Sequence, residues 1–227
     1  MTIGIIVAME AEKNLVVTIL DNKSESTYGK DSFIEGTIGH HRIVLLKSGI
    51  GKVCAAIGAQ SMIHNYHPDY IINTGIAGSL DKKVNVMDVV IGEKTVYHDV
   101  DCSTGNEYGQ IQGFPLYFFA DKKLLNAAKQ INIAQRLHIG LTCSGDKFIS
   151  GLDSLKHIKS LFPEGLAVDM ESNAIAQVCY LYDVPFLSLR IISDTPGITD
   201  HIGQYTDFWK EATQTSLSII KQLLITL

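Results

Sequence analysis

Short apolar runs alternate along the chain with stretches of helical periodicity. Runs such as residues 3–9, 70–73, 166–168 and 185–192 are typical of strands buried on both faces of a sheet. Between them, apolar positions recur every three to four residues, which is typical of helices. Further predicted strands are residues 32–38, 42–47, 86–91, 94–98 and 138–143. Predicted helices cover residues 15–20, 53–63, 121–131, 152–161, 173–179 and 208–227.

This order of elements predicts an α/β protein built on a layered sheet. No linker, internal repeat or second core interrupts the pattern, so residues 1–227 are predicted to form a single domain. Residues 21–32 are polar and are predicted to be a loop. Residues 99–115 form a longer predicted loop, rich in glycine and polar residues. Loops of that length are usually functional or lie at an interface.

Composition narrows the class of function. The 227 residues are 46% hydrophobic and carry a net charge of -5, which suits a large core but not a nucleic-acid or anionic-membrane surface. The four cysteines form no C-x-x-C pair, and three lie in apolar runs, so we expect reduced core thiols in a cytoplasmic protein. The apolar N-terminus is too short for a signal peptide and leads directly into Glu10 and Glu12.

Four strand ends carry small or glycine-rich turns, at residues 8–9, 49–51, 75–78 and 144–145. Glycine allows backbone to approach a ligand closely. The segment after Gly49 is not a P-loop, because Val53 stands where Ser or Thr is required. It is not a complete G-x-G-x-x-G either, because Cys54 replaces the third glycine. These turns therefore favour a small polar ligand with a flat ring over a nucleoside triphosphate or a dinucleotide.

Acidic residues end predicted strands or begin predicted helices. Asp169 and Glu171 follow the run 166–168 and precede a helix, which is where ligands bind in α/β sheets. Acids at this position also complement the dipole of the following helix. With Glu12 and Asp194 they form a candidate acid–base set, because cleaving a bond to a poor leaving group needs one acid and one base. No His-rich ligand set accompanies them, so no metal site is predicted.

Phe148 and Ile149 follow the turn at residues 144–146. Phe148 is either a core residue or a stacking platform for a flat base. If the second interpretation holds, the nearby backbone would contact the edge of the base.

Several motifs, taken together, resemble a known family across essentially the whole chain. They are Gly4-Ile5-Ile6-Val7-Ala8-Met9-Glu10-Ala11-Glu12, Ser48-Gly49-Ile50-Gly51-Lys52-Val53, Ile71-Ile72-Asn73-Thr74-Gly75, Glu107-Tyr108-Gly109-Gln110, Ser144-Gly145-Asp146-x-Phe148-Ile149, Ala167-Val168-Asp169-Met170-Glu171 and Ile191-Ile192-Ser193-Asp194. In this order they resemble bacterial 5′-methylthioadenosine/S-adenosylhomocysteine nucleosidases. The resemblance implies a three-layer α/β sandwich of the nucleoside phosphorylase type, with a central mixed sheet flanked by helices.

The resemblance also implies roles for individual residues. Asp194, with Ser193 beside it, would protonate adenine. Phe148 and Ile149 would bind the base, Met170 and Glu171 the ribose, and Glu12 would activate water with Arg190 nearby. The other residues expected at the substrate are Ala8, Met9, Ile50, Ala77, Gly78, Asp169 and Tyr205.

The implied activity is hydrolysis of the N-glycosidic bond of methylthioadenosine and S-adenosylhomocysteine, with 5′-deoxyadenosine as a third candidate substrate. No cofactor is expected. A homodimer is implied, with loop 99–115 near the neighbouring subunit's pocket, and methionine salvage is the implied pathway. The alternatives are a phosphate-dependent purine nucleoside phosphorylase and a non-catalytic adenosine-binding module. A carboxylate at Glu12 repels phosphate and therefore favours the hydrolase.

The chain departs from the family pattern at three places. Asp169 replaces a Glu, and Ile76 replaces a Ser. The loop at residues 102–112 is one residue shorter and lacks two aromatic residues. A more polar wall of this kind predicts a longer or more polar 5′ substituent, such as homocysteine.

Overall fold

The computed structural model describes residues 1–102, 104–196, 203–204, 208 and 218–227. The strands are β1 (Thr2–Val7), β2 (Asp21–Tyr28), β3 (Asp31–Ile38), β4 (His41–Lys47), β5 (Tyr70–Ser79), β6 (Val89–Tyr97), β7 (Phe118–Phe119), β8 (Leu137–Ser144), β9 (Gly165–Asp169) and β10 (Phe186–Asp194). The helices are α1 (Glu10–Thr18), α2 (Lys52–Tyr66), α3 (Lys122–Lys129), α4 (Leu152–Leu161) and α5 (Ser172–Leu181). Residues 218–226 are also helical.

One mixed sheet organises the molecule. Its strands follow the order β10-β6-β8-β9-β5-β1-β4-β3-β2, and β10 also pairs with β5. Strands β1, β4, β5 and β10 run parallel, whereas β9 runs antiparallel to β5. The pairings β5–β10–β6–β8–β9–β5 therefore close a ring of strands at one end of the sheet.

Helices cover both faces of this sheet. Along β1, Ile5 belongs to a core cluster with Val16 of α1 and Leu124 of α3, while the next residue, Ile6, packs in a cluster with Met62 of α2. Successive strand side chains point to opposite faces, so this alternation means that each face carries its own helical layer. The predicted three-layer sandwich with a central mixed sheet is confirmed.

The strand ends converge on one region. Gly78 of β5 pairs with Val168 of β9 on one side and with Asp194 of β10 on the other. Ser144, the last residue of β8, pairs with Asp169. The carboxyl ends of β5, β8, β9 and β10 thus meet where the acidic residues lie.

The predicted loop at residues 21–32 is wrong. Strand β2 and the start of β3 occupy it, and they form a hairpin around Gly29, which has a φ of 63°. Nearly every side chain of β2 is exposed, so the strand has no apolar alternation to reveal it. Backbone pairing with β3, rather than side-chain burial, defines this edge strand.

Two predicted boundaries also change. Strand β5 continues through Gly75 and Gly78, which were expected in a turn, because its residues pair with β10 along their whole length. The two strands expected at 86–91 and 94–98 are one strand, β6, with an irregularity between Gly92 and Lys94. The two-residue strand β7 was not predicted.

The structure confirms the predictions for the cysteines and the last helix only in part. Cys143 and Cys179 are buried free thiols as expected, but Cys54 is exposed, so the prediction of a core position is wrong for it; Cys102, which lies outside the apolar runs, is exposed as well. Residues 209–217 of the predicted last helix lie outside the described residues, whereas Phe208, Ile219 and Leu223 are buried. None of the described helices is both long enough and apolar enough to span a membrane.

Candidate active site

A pocket opens where these strand ends meet. Thirteen of the residues predicted at the site line it: Ala8, Met9, Glu12, Ile50, Ala77, Gly78, Phe148, Ile149, Asp169, Met170, Glu171, Ser193 and Asp194. Ile76, Lys147 and Val168 line it as well and were not predicted. Tyr205 lies outside the described residues.

Glu12 reaches the pocket from the first turn of α1. Its Oε2 accepts hydrogen bonds from the amides of Ala8 and Met9, both at 2.9 Å, and its Oε1 accepts one from the amide of Ile76 at 3.1 Å. Only 6% of the residue is exposed, and this burial raises the pKa of Glu12 despite the three donors and the nearby Arg190. A carboxylate whose pKa is raised accepts a proton more readily than an ordinary glutamate does.

The Glu12 carboxylate lies against the backbone of Gly75, which is possible because Gly75 has no side chain. A Cβ atom on Gly75 would lie 2.5 Å from the Glu12 Oε1 and 2.9 Å from an Arg190 nitrogen. Any other residue at this position would displace the carboxylate. The glycine that the sequence suggested for close approach to a ligand instead makes room for a pocket acid.

Glu171 lies between β9 and α5, on the opposite side of the pocket floor. Its Oε1 accepts a hydrogen bond from the amide of Gly51 at 3.0 Å. Burial, reinforced by the charge of Asp169, raises the pKa of Glu171 to about 7. Glu171 therefore changes its charge within the physiological pH range.

A buried network lies beneath these two acids. The Arg190 Nε donates to Asp169 Oδ2 at 2.6 Å, and its Nη2 lies 3.9 Å from Glu171 Oε2. The hydroxyls of Ser144 and Ser172 also donate to Asp169. Burial alone would raise the pKa of Asp169, but Arg190 and the two hydroxyls hold it below its usual value.

Arg190 was expected at the substrate, and the structure places it under the pocket floor rather than on its wall. Only 2% of the residue is exposed, and its Nη2 also donates to Asn73 and Ser172. The charge of Arg190 therefore orients Asp169 and Glu171 and does not face the substrate. Asp169 is likewise fully engaged with protein donors, although its edge lines the pocket.

Asp194 is aimed into the pocket by a β-bulge. Ile192 pairs with Ala77 and Asp194 pairs with Gly78, so Ser193 is an extra residue in β10. Bulges redirect side chains and are common beside active sites. The Ser193 hydroxyl donates to Asp194 Oδ1 at 2.5 Å, which fixes the carboxylate of this 2% exposed residue.

The remaining wall is apolar. Phe148 is half exposed, whereas Ile149 beside it is buried. Met170 lies between the two acids at the end of β9 and also lines the pocket. A flat ring bound here would contact Phe148 on one side while acidic oxygens face its substituents.

The chain is similar over its whole length to a known family and to solved structures. Residues 2–225 match the family described as the phosphorylase superfamily. A 5′-methylthioadenosine/S-adenosylhomocysteine nucleosidase from Neisseria meningitidis, in complex with methylthio-immucillin-A, is 36% identical with a TM-score of 0.94, covering 100% of this chain and 99% of that one. The Streptococcus pneumoniae enzyme with 8-aminoadenine is 38% identical with a TM-score of 0.94, covering 100% of both chains.

A third structure, S-adenosylhomocysteine nucleosidase from Streptococcus pyogenes in complex with 5-methylthiotubericidin, is 35% identical with a TM-score of 0.95 and covers 100% of this chain and 97% of that one. The chain belongs to the methylthioadenosine/S-adenosylhomocysteine nucleosidase family. The predicted resemblance is thereby confirmed, and so is the wider superfamily.

Two features of this nucleosidase chain were beyond sequence reasoning. The amide of Gly51 contacts Glu171 although 120 residues separate them, and no local pattern indicates such a pairing. Ile76, which replaces a Ser of the family pattern, donates its backbone amide to Glu12. Since a backbone amide is present whatever the side chain, the exchange of Ser for Ile leaves this contact in place.

Among the residues that the structure describes, no group of three His, Cys, Asp or Glu side chains is arranged to hold a metal ion. His64 and His67 are exposed at the end of α2. The pocket acids of this nucleosidase chain are instead held by backbone amides, hydroxyls and Arg190.

Proposed function

We propose that this protein hydrolyses the N-glycosidic bond of 5′-methylthioadenosine and S-adenosylhomocysteine. The products are adenine and the 5-thio-substituted ribose. The observation that carries the proposal is the placement of three buried carboxyl groups, those of Glu12, Glu171 and Asp194, on one pocket with an aromatic wall at Phe148. Binding alone needs no such set, which argues against a non-catalytic adenosine-binding module.

Asp194 is proposed as the general acid. Adenine is a poor leaving group as an anion and a good one once a ring nitrogen is protonated. The hydrogen bond from Ser193 orients Asp194, and the lack of a side chain on Gly78 leaves space in front of it, since a Cβ there would lie 3.3 Å from Asp194 Oδ2. Protonation of adenine N7 by Asp194 would contribute on the order of 10²- to 10⁴-fold to the rate.

Glu171 is proposed to bind the ribose hydroxyls, with Met170 packed against the sugar. As the bond to adenine breaks, the ribose gains the character of an oxocarbenium cation. An ionised carboxylate on its hydroxyls stabilises that charge, and the effect is strong because water is largely excluded from the pocket floor. The amide of Gly51 keeps Glu171 Oε1 in place for this contact.

Glu12 is proposed as the base that activates water. Its raised pKa suits a group that takes a proton from water as the C–O bond forms. The positive charge of Arg190, below the floor, favours the ionised form of Glu12, which is the form that can accept a proton. The reaction then balances: water supplies a hydroxyl to the ribose carbon, one proton passes to Glu12, and adenine departs with the proton from Asp194.

Hydrolysis is favoured over phosphorolysis by the charges around Glu12. Phosphate needs cationic or neutral donors, whereas Glu12 presents a carboxyl group. Among the described lining residues, Lys147 is the only cationic side chain, and it lies beside Phe148 on the base side. Arg190 is already paired with Asp169 at 2.6 Å.

Chromatographic detection of free adenine tests the proposal. Methylthioadenosine, S-adenosylhomocysteine and 5′-deoxyadenosine would each be incubated with the protein, with and without phosphate. Adenine should appear in phosphate-free buffer at an unchanged rate. Strict dependence on phosphate would replace hydrolysis by phosphorolysis, and nucleoside binding without adenine release would leave only a binding module.

The preferred 5′ substituent is tested by the same assay. The altered loop at residues 102–112 predicts that a polar tail is accepted well. Relative kcat/KM for methylthioadenosine and S-adenosylhomocysteine measures this. A large preference for methylthioadenosine over every polar-tailed analogue would contradict it.

We also propose that the protein is a cytoplasmic homodimer that serves methionine salvage. Val53 and Ile57 lie one turn apart on α2 and are 68% and 58% exposed, which leaves an apolar face beside the pocket residue Ile50. The four free thiols suit a reducing compartment. Light scattering should give twice the chain mass for the wild type and a lower mass for Ile57→Asp, and cell fractionation would test the compartment.

A further inference from the structure

Two neighbouring backbone amides at the start of α2 bind two acids from different parts of the chain. The amide of Gly51 donates to Glu171 Oε1 at 3.0 Å, on the sugar side of the pocket. The next amide, that of Lys52, donates to Asp146 Oδ1 at 2.7 Å, on the base side. The two peptide groups that flank the Cα of Gly51 therefore connect the two sides of the pocket.

Asp146 and Lys52 make further contacts next to these two amides. The amide of Asp146 donates to Asp99 Oδ2 at 2.8 Å. The Lys52 ammonium lies 3.0 and 2.9 Å from the two Asp99 oxygens and 3.9 Å from Asp146 Oδ2. Asp146, Lys52 and Asp99 thus form a closed set, which we term the base-loop clasp.

The clasp holds a segment that has little regular structure of its own. Residues 145–151 connect β8 to α4 without helix or strand. Asp146, Lys147 and Phe148 are exposed, whereas Ile149 is buried. Since Phe148 and Ile149 form the wall of the pocket, their positions depend on how this segment is held.

Gly51 permits the close approach of Asp146. The residue has a φ of 93°, and a Cβ there would lie 2.9 Å from Asp146 Oδ1. Another residue would be strained and would also meet that oxygen. The glycine requirement at residue 51 therefore belongs to the clasp as well as to Glu171.

We propose that Asp146 is a positioning residue for nucleoside binding, which holds the base-side loop against the Lys52 amide, next to the Gly51 amide that holds Glu171. The inference rests on the proposed function, because it concerns the same pocket. Helix α2 has 15 residues and keeps Gly51 in place without Asp146. Loss of Asp146 should therefore loosen the base wall while leaving the sugar side nearly intact.

Three variants test the inference. Asp146→Ala removes the acceptor for the Lys52 amide, Asp146→Asn keeps an oxygen acceptor there, and Asp153→Ala removes an exposed acid from the adjacent first turn of α4 as a control. We expect Asp146→Ala to raise the KM for methylthioadenosine and the Kd for adenine about tenfold, the size of one lost charge-assisted hydrogen bond. The kcat should stay within about threefold of the wild type.

Asp146→Asn should recover most of the affinity, and Asp153→Ala should match the wild type. The inference is overturned if Asp146→Ala leaves both KM and Kd unchanged, if it lowers kcat alone, or if Asp146→Asn is no better than Asp146→Ala. Adenine affinity is measured by calorimetry without turnover. A wild type that binds adenine but never releases it from a nucleoside would overturn the proposed function and leave this comparison standing.

Discussion

The floor and the base-side wall of the pocket are built in opposite ways. On the floor, Glu12, Glu171 and Arg190 are at most 6% exposed and are held by strand ends, backbone amides and one another. On the wall, Phe148 is 50% exposed, and the side chain of Asp146 that anchors its loop is 46% exposed. Charges on the floor interact strongly because they are buried away from bulk solvent, whereas charges at the wall are screened by solvent.

This contrast separates chemistry from recognition. A buried carboxylate has its pKa set by its surroundings, which is what an acid or a base needs. A half-exposed loop can adjust to a ligand at little cost, because solvent screens the charged contacts that hold it. Changes to the floor should therefore alter the rate by large factors, and changes to the wall should alter affinity by small ones.

The largest effect is expected at Asp194. Asp194→Asn keeps the shape of the side chain but cannot protonate adenine, so kcat should fall on the order of 10²- to 10⁴-fold. Binding of a substrate analogue, measured by calorimetry, should remain within a few-fold of the wild type, since the pocket keeps its form.

Asp88→Asn is the matched control, because Asp88 is a buried acid directly before β6 that pairs with His138 at 2.9 Å and does not line the pocket. Its turnover should equal that of the wild type. Turnover by Asp194→Asn at the wild-type rate would remove Asp194 as the general acid.

The next effect concerns the charge of Glu171. Its carboxyl group has a pKa of about 7, so it loses its negative charge as pH falls below that value. If the ionised form stabilises the cation, kcat/KM should fall about tenfold per pH unit and be roughly 100-fold lower at pH 5 than its plateau. Glu171→Gln should have low activity and should lack this acidic limb.

A pH–rate profile of both proteins distinguishes Glu171 from Glu12, whose pKa is raised as well. An unchanged acidic limb in Glu171→Gln would assign the titration to Glu12 and contradict the role given to Glu171.

The same ionisation predicts a smaller effect on stability. The folded protein binds the Glu171 proton more tightly than the unfolded chain does, because the pKa rises from 4.5 to about 7 on folding. The resulting stabilisation is fully present below pH 4.5 and is lost as pH rises through 7. Relative to the wild type, Glu171→Gln should gain roughly 3 kcal/mol in free energy of unfolding between pH 4.5 and 8.

Urea denaturation at several pH values measures this difference. Glu164→Gln serves as the control, since it removes a carboxylate whose side chain is 53% exposed and which pairs with Lys94 at the surface. If the free energy of unfolding changes with pH in the same way in the wild type and in Glu171→Gln, the ionisation of Glu171 does not contribute to stability as expected.

Sequence reasoning predicted the floor better than the wall. Buried strands have apolar runs, and acids at their ends stand out, so Asp169, Glu171 and Asp194 could be found from local pattern. The contacts among them could not. Arg190 appears in the sequence as one more residue of an apolar strand, and its place under the floor depends on the pairing of β10 with β5.

The missed parts share a physical cause. Strand β2 is defined by backbone hydrogen bonds to β3, and the base-loop clasp is defined by a backbone amide of Lys52, so neither depends on side-chain periodicity. The β-bulge at Ser193 likewise follows from a register with β5 that lies more than 100 residues away. The local sequence pattern indicates which residues are buried, but it does not indicate which distant backbone groups these residues contact.

The smallest effect is expected from salt at the wall. The Lys52–Asp99 pair, with both side chains 25% exposed, is screened as the Debye length falls from about 10 Å at 0.1 M salt to about 3 Å at 1 M. The KM for methylthioadenosine should therefore rise roughly two- to threefold over this range. Methylthioadenosine is uncharged, so salt does not screen the substrate, and stronger apolar association in salt would lower KM instead.

Lys52→Met is the control: its KM should be raised already at low salt and should change little as salt is added. A fall in kcat with salt at constant KM would show that the floor, rather than the wall, is sensitive to screening.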